Sequence, residues 1–478
     1  MSTVVRQSVA LSLALLSSPC VFATAVSPNT HADLLAVYQA AVQNDAQLSA
    51  ARHAYRAQIE AVPQARAGLL PEVTVGATTE TTRLERDEPA LTRERSGTTF
   101  RANLSQPLFR IDRWYQLKAA QAGAAQAELE LSVKEQAMVF NAAQAYFETL
   151  RQLDALAAAK AEEAAMLRQR DQAQGRLEDG ASSITDVYDA QAAYDNARAN
   201  RQLAQRKVDD AYEALARLTK QPYDSIAGVV HQLPVEAPIP NDAKQWVETA
   251  TQQNLQLQAN DRAVEAAQQT LHQRKAGYAP TVDVVASYRK GDNDSFGYSN
   301  PTDYGTEGYR DNVAQSSIGV ELTIPLYSGG MTRSQVSEST ERLYQSQDER
   351  EDRLREVVLN TRNAFRGINA DIEQVTARRQ SIVSGQKSVE ANQVGVDIGS
   401  RNIADVLNAQ RQLYAAVRDY NDARYDYILD NLKLKQAAGT LNPGDLSQLA
   451  LFLKQDYDPD RDFLPMIAPM EKARSQAK

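Results

Sequence analysis

The stretch Gly180-x-x-x-Ile184-x-Asp186-Val187-x-x-Ala190-Gln191 returns as Gly399-x-x-x-Ile403-x-Asp405-Val406-x-x-Ala409-Gln410, displaced by 219 residues at every matched position. Two more landmarks recur in the same order. Leu104-x-x-Pro107-Leu108-Phe109 returns as Leu322-x-x-Pro325-Leu326-Tyr327, and Ala67-Gly68-x-x-Pro71 as Ala276-Gly277-x-x-Pro280. The chain is two copies of one plan, each copy too long to be one turn of an ordinary solenoid.

On either side of this motif, each copy carries a very long helix before its glycine and a shorter one after it. The long segments, about 112–178 and 331–397, contain no proline. At about 1.5 Å per residue each would span on the order of 100 Å. After the glycines, Val406, Ala409, Leu413, Ala416, Tyr420, Ala423 and Tyr427 alternate spacings of three and four, as do Val187, Ala190, Tyr194, Ala197, Arg201, Ala204 and Val208. These are heptad seams, so Gly180 and Gly399 mark the turns of two antiparallel coiled-coil hairpins. The helices that open each copy, about 33–67 and 243–276, match the returning ones in length; two short helices stacked end to end equal one long one.

Before each long helix the pattern changes period. Val73, Val75 and Ala77 alternate with Thr74 and Thr78, and Phe100, Ala102 and Leu104 alternate on the return. In the second copy Ile318, Val320, Leu322, Ile324 and Leu326 give five alternating apolar positions. Period two predicts strands at about 72–84, 98–109, 281–290 and 314–327. The charged segment 85–97 and the Gly-, Asp- and Tyr-rich segment 291–312 are expected as loops. Each strand is close to the roughly 9–11 residues that a tilted strand needs to cross a bilayer.

Residues 1–25 read as a secretory signal, with Arg6, an apolar run from Val9 to Leu16, and Ala23-Thr24-Ala25 as the cleavage site. Pro19 before Cys20 fits poorly with lipoprotein processing, and Cys20 is the chain's one cysteine. The expected organisation is therefore a signal at 1–25, a first repeat at 26–220, a proline-rich linker at 221–242 near mid-height, a second repeat at 243–440 and a tail at 441–478.

Composition removes whole classes. A net charge of -9 leaves no basic footprint for nucleic acid. After the signal no apolar run reaches helix-spanning length. The four histidines His31, His53, His231 and His272 are scattered, and HExxH, G-x-x-x-x-G-K-[ST] and G-x-S-x-G are absent, so neither an enzyme nor a cofactor or metal site is expected. Four membrane strands per chain would leave two open edges in lipid, which forces closure with other copies. Two copies would give eight strands and a filled barrel; three give twelve strands and a lumen over twelve helix-equivalents, and four would give sixteen strands with the same match to helices.

The paired Gly-x-x-x-Ile-x-Asp-Val motifs, the Pro-Leu-aromatic strand ends, the signal and Gly439-Thr440-Leu441-Asn442 together resemble the TolC family of outer-membrane channel proteins, over essentially the whole mature chain. The resemblance implies an α+β membrane protein: a homotrimeric 12-stranded β-barrel, four strands per chain, continuing into an α-helical coiled-coil tunnel in the periplasm of a Gram-negative cell. It implies a passive exit duct for type I secretion or multidrug efflux. The partners would be outer-membrane lipid, a periplasmic adaptor (membrane fusion) protein and an inner-membrane transporter of ABC, RND or MFS type. By the same resemblance Asp405 belongs to a selectivity ring, with Asn408 where a second Asp is usual. Arg401 belongs to a latch toward Asp186, with Val396 where Tyr is usual, and Gly180, Ile184, Gly399 and Ile403 are docking tips. Read from the residues alone, Asp186 and Asp405 are also acidic N3 residues behind the caps Ser183 and Asn402, and the glycines are helix C-caps. A different class of protein, a periplasmic coiled-coil scaffold or adhesin without a pore, would use the same strands as small soluble sheets.

Overall fold

The computed structural model describes residues 31–87, 91–231, 233–292 and 312–465. The segment expected as a signal, most of the segment expected as the second hairpin loop, and the last thirteen residues lie outside them. The first copy runs β1 (His31–Ala32), α1 (Leu34–Asn44), α2 (Ala46–Ile59), α3 (Ala61–Ala67), β2 (Glu72–Arg86), β3 (Leu91–Phe109), α4 (Ile111–Glu178) and α5 (Ile184–Thr219). Two short strands, β4 (Ser225–Ile226) and β5 (Gly228–Val229), lie in the linker. The second copy runs α6 (Ala243–Gln253), α7 (Leu255–Lys275), β6 (Thr281–Asp292), β7 (Asn312–Thr323), α8 (Met331–Asp397) and α9 (Ile403–Ala437). The tail holds α10 (Pro443–Ala450), β8 (Leu453–Lys454) and α11 (Pro459–Asp462).

The four long strands form one antiparallel sheet in the order β2-β3-β6-β7, so β2 and β7 are its open edges. Its register sorts the side chains into two faces. Val73, Leu104, Ala286 and Ile318 share one cross-strand row, and Val75, Ala102, Tyr288 and Ser316 the next. Alternate rows are polar, such as Thr74, Asn103, Ser287 and Ser317. One face is apolar and exposed in the single chain, with Val73, Val75, Ile318 and Val320 all open to solvent. Exposed Phe109, Trp114, Tyr278 and Tyr327 cluster where strands pass into helices, the level at which membrane proteins place aromatic girdles.

Three local departures from the sequence expectations have physical causes. Residues 85–86 and 91–97, expected as loop, are strand: β2 and β3 stay paired from Glu80↔Gly97 out to Arg86↔Leu91, while β3 meets β6 only from Thr99 inward. Hydroxyl pairs hold this ribbon, Thr79 with Thr98 at 3.1 Å and Thr81 with Ser96 at 2.8 Å, and Arg83 lies opposite Glu94. Arg83 thus has an opposite charge directly across the ribbon and a second, Glu85, along its own strand. The opening helix of each copy is interrupted. The Asp45 carboxylate accepts from the Leu48 N–H at 2.6 Å, and the Asn254 side chain accepts from the N–H groups of Gln256 and Leu257, so each residue caps a new helix rather than continuing the old one. Asp45 and Asn254 are displaced by the same 209 residues as Ala67 and Ala276, so the break belongs to the duplicated plan. Pro63, which has no N–H, accounts for the further break at Glu60. The third departure is β7, which ends at Thr323, two residues before Pro325.

The core sits at mid-height. Val139, Tyr146, Phe147 and Leu150 of α4 pack with Tyr425, Ile428 and Leu432 of α9 and with Ile226 and Val229 of the linker. The tail folds back here, β8 pairing antiparallel with β5. Tyr457 lies where any side chain on Gly228 would stand, and its hydroxyl donates to buried Asp154. Tyr425 donates to the same carboxylate at 2.7 Å, yet burial still pushes Asp154 up to about 6. Gly439, at φ +76°, sits against the backbone of the Asn254 break, where an added Cβ would lie 2.2 Å from the Gln253 oxygen. The Asn254 amide also donates to the Ala437 carbonyl at 2.9 Å, so the end of α9 and the break are pinned together.

Candidate gate and docking tips

Both long helices end in the same way. The Ala181 N–H donates to the Arg176 carbonyl and the Gly180 N–H to Leu177, with Gly180 at φ +73°. The Ser400 N–H donates to the Gly395 carbonyl and the Gly399 N–H to Val396, with Gly399 at φ +74°. These are Schellman closures, which need a left-handed residue. Nothing lies within 4 Å of a side chain placed on either glycine, so backbone conformation alone demands them.

The starts of the returning helices differ. Ser183 caps α5 in a closed capping box: its hydroxyl accepts from the Asp186 N–H at 3.2 Å, and the Asp186 carboxylate accepts from the Ser183 N–H at 3.0 Å. The Ser182 hydroxyl donates to Asp186 as well, at 2.9 Å. The Ser183 backbone bond, helped by these hydroxyls, holds Asp186 below the usual carboxylate range. At the second tip Asn402 accepts from the Asp405 N–H at 2.9 Å, but no capping bond returns from the Asp405 carboxylate. That carboxylate lies 3.8 Å from Arg401, with the two side chains 38% and 60% exposed.

Arg401 thus pairs with Asp405 within the chain, while Asp186 is taken up by serines. The stem of Arg401 crosses Gly395, where an added Cβ would lie 2.6 Å from its Cγ. Asn408 is exposed one turn beyond Asp405. Ile184 is 51% exposed, whereas Ile403 is only 6% exposed and packs with Met166, Ala190, Ala193 and Leu407 between the hairpins. Of the four tip residues, Gly180, Gly399 and Ile184 are open to a partner in the single chain, and Ile403 is not.

One contact was not foreseen from sequence. Arg176 reaches from the last turn of α4 to the last turn of α8, donating to the Asp397 carboxylate at 2.5 Å and to the Val396 carbonyl at 3.4 Å. Gln169 donates to Gln393 one level higher, at 3.1 Å. Val396, where the resemblance calls for Tyr, therefore contributes its carbonyl rather than its side chain. The available signal was Asp397 itself: an acid in the last helical turn opposes the dipole and asks for a cation.

No helix among the described residues is long and apolar enough to cross a membrane, which says nothing of strands. The family model for outer membrane efflux proteins matches residues 37–219 and 246–440. The chain belongs to this family. It is 34% identical to the outer membrane protein TolC of Vibrio cholerae over 422 residues, covering 88% of this chain and 94% of that protein. It is 26% identical over 439 residues to the alkaline protease secretion protein AprF of Pseudomonas aeruginosa, covering 90% and 89%. The solved CmeC outer membrane channel of Campylobacter jejuni has the same fold, with a TM-score of 0.73 at 16% identity over 91% of this chain and 90% of that one. The outer membrane efflux protein described here is thus an exit duct of the Gram-negative outer membrane, its strands in the bilayer and its helical tunnel in the periplasm.

Proposed function

We propose that three copies close a 12-stranded barrel and form a passive duct, docked through a periplasmic adaptor protein to an inner-membrane transporter of ABC, RND or MFS type. The observation that carries this is the four-stranded sheet, with one apolar face and two open edges, β2 and β7. An unpaired edge in hydrocarbon leaves several backbone groups unsatisfied, each costing several kcal/mol, so edge must meet edge in another copy. A pore-less scaffold would instead leave the apolar face and girdle without a partner. The transporter supplies the energy and selects the cargo, drugs or secreted proteins; the name of AprF favours protein export as one use.

At the periplasmic end, three copies of Asp405 would form a ring that attracts cations. Arg401, beside Asp405, and Arg176, tying the two hairpins, would hold the entrance narrow. Each such pair is worth roughly 0–1 kcal/mol when exposed, so the closed state would rest on their threefold repetition. Ile184 and the glycine turns would meet the adaptor. Light scattering of the detergent-extracted particle, corrected for bound detergent, tests the assembly: a trimer is expected, and a stable folded monomer or dimer would rule out the closed barrel.

A further inference from the structure

Four carboxylates among the described residues are buried, and three of them have partners. Asp154 accepts from Tyr425 and Tyr457, Glu162 from Arg418 at 3.0 Å, and Asp445 from Lys435 at 2.6 Å. The fourth is Asp371 of α8, with only 9% of its surface exposed. Its Oδ2 is enclosed and meets no hydrogen-bond donor among the described residues. A buried charge without a partner is so costly that such a group takes up a proton instead.

The sequence around Asp371 explains how it comes to be inside. Val357, Thr361, Ala364, Ile368, Asp371 and Val375 alternate spacings of four and three, and all are buried. Asp371 therefore occupies a seam position of the α8–α9 hairpin. The seam of α9 runs through Tyr420, Ala423 and Tyr427 to Asp430 at the same spacings. Asp430 reaches across to α8, where an added Cβ on Gly367 would lie 2.5 Å from its Oδ2. Gly367 stands one turn before Asp371, so two carboxylates occupy neighbouring places in one seam. Burial, and then the nearby Asp430 and Asp426, push Asp371 up to about 6.

Charges on every neighbouring element surround this point without pairing with Asp371 among the described residues. On α9, Asp422 and Asp426 pair with Arg151 of α4, which also holds Glu148, and Lys433 lies 3.9 Å from Asp430. On α8, Arg378 pairs with Asp419 at 2.9 Å, Arg366 donates to Asn363 at 2.6 Å, and Glu373 is exposed off the seam. Lys244 and Glu248 of α6 share a groove with Arg362 and Arg366.

We infer that Asp371 and Asp430 form a proton-binding site that clasps α8 to α9 beside the mid-height core. With the proton in place, the Asp371 carboxyl donates to the Asp430 carboxylate and the seam is satisfied. Without it, two like charges share the seam and push the helices apart. The clasp is held at mildly acidic pH and slackens as pH rises, because the closed hairpin binds a proton that the open one releases. The site lies within one chain and does not depend on barrel closure.

The test is amide hydrogen exchange of the detergent-extracted full chain, read on peptides from 360–375 and 423–434 and corrected for the intrinsic pH dependence of exchange. Near pH 5, wild type and Asp371→Asn should be equally protected. Near pH 7.5, wild type should exchange about tenfold faster than Asp371→Asn. That is the linkage expected of a carboxyl that titrates near 6 in the closed hairpin and near 4 in the open one. Asp154, also raised to about 6, is present in both proteins and cancels from the comparison. Asp430→Asn, which places an amide donor opposite Asp371, should give most of the same protection. Infrared pH-difference spectra should show a protonated-carboxyl band that titrates near 6 in wild type and is missing from Asp371→Asn. Equal exchange of wild type and Asp371→Asn near pH 7.5, faster exchange of either variant, or no band lost with Asp371 would overturn the site.

Discussion

The two hairpin tips are built on one motif and spend it differently. At the first, Ser182 and Ser183 surround Asp186, and the carboxylate closes a capping box. At the second, Asn402 caps the helix and leaves the Asp405 carboxylate to face Arg401. Ile184 is exposed where Ile403 is buried. The duplicated copies differ in what they present: the first tip closes its helix start and offers an apolar side chain outward, and the second holds a carboxylate outside the capping box, beside Arg401. Identical motif letters do not confer identical roles; the residues immediately before the helix decide which oxygen remains available.

The largest effect that would break this comparison is at Asp405. Asp405→Ala should weaken block by trivalent cations from the periplasmic side by about tenfold or more, because a ring acts on a multivalent ion through all its members. Asp186→Ala should leave that block unchanged, and equal loss in both variants would erase the difference. A smaller effect is expected from Arg401→Ser, which should raise conductance by removing a partner worth roughly 0–1 kcal/mol per copy. Unchanged conductance would remove Arg401 from the gate. The smallest effect concerns stability. Asp186→Asn should cost about 1 kcal/mol at neutral pH through loss of the capping box, against less than about 0.5 kcal/mol for Asp405→Asn. Asp186 is held below its unfolded value, so its contribution is present above the ordinary carboxylate range and disappears as pH falls through the lowered one. Heat-denaturation midpoints of wild type and Asp186→Asn should therefore converge on acidification; a constant gap would point to lost packing instead.

Much of the fold class was legible because periodicity survives in a single sequence. Ile318, Val320 and Leu322 alternate since one face of β7 is apolar, and the heptads of α9 repeat since its Val406, Ala409, Tyr420 and Tyr427 are buried along one seam. Features that depend on a partner across space were harder to read. The charges of 85–97 look like a loop until Arg83 is set opposite Glu94. Asp45 and Asn254 look like tolerable helix residues until their side chains take the N–H groups ahead of them. At the candidate gate, the within-chain contacts of Arg401 with Asp405 and of Asp186 with two serines were not legible, because no spacing rule supplies side-chain and hydroxyl directions. Arg176 and Asp397 are 221 residues apart, and only packing of α4 beside α8 brings them together.

The two unbroken helices have a consequence of their own. α4 and α8 hold 68 and 67 residues without a proline, so the height from strand junction to tip is counted out residue by residue. One inserted residue would lengthen such a strut by about 1.5 Å and turn its tip by about 100°. Whole heptads alone would preserve the seam, and they would have to be matched in the short helices stacked alongside. The tunnel is in this sense a caliper graduated in heptads, and whatever meets its tips must be cut to the same scale.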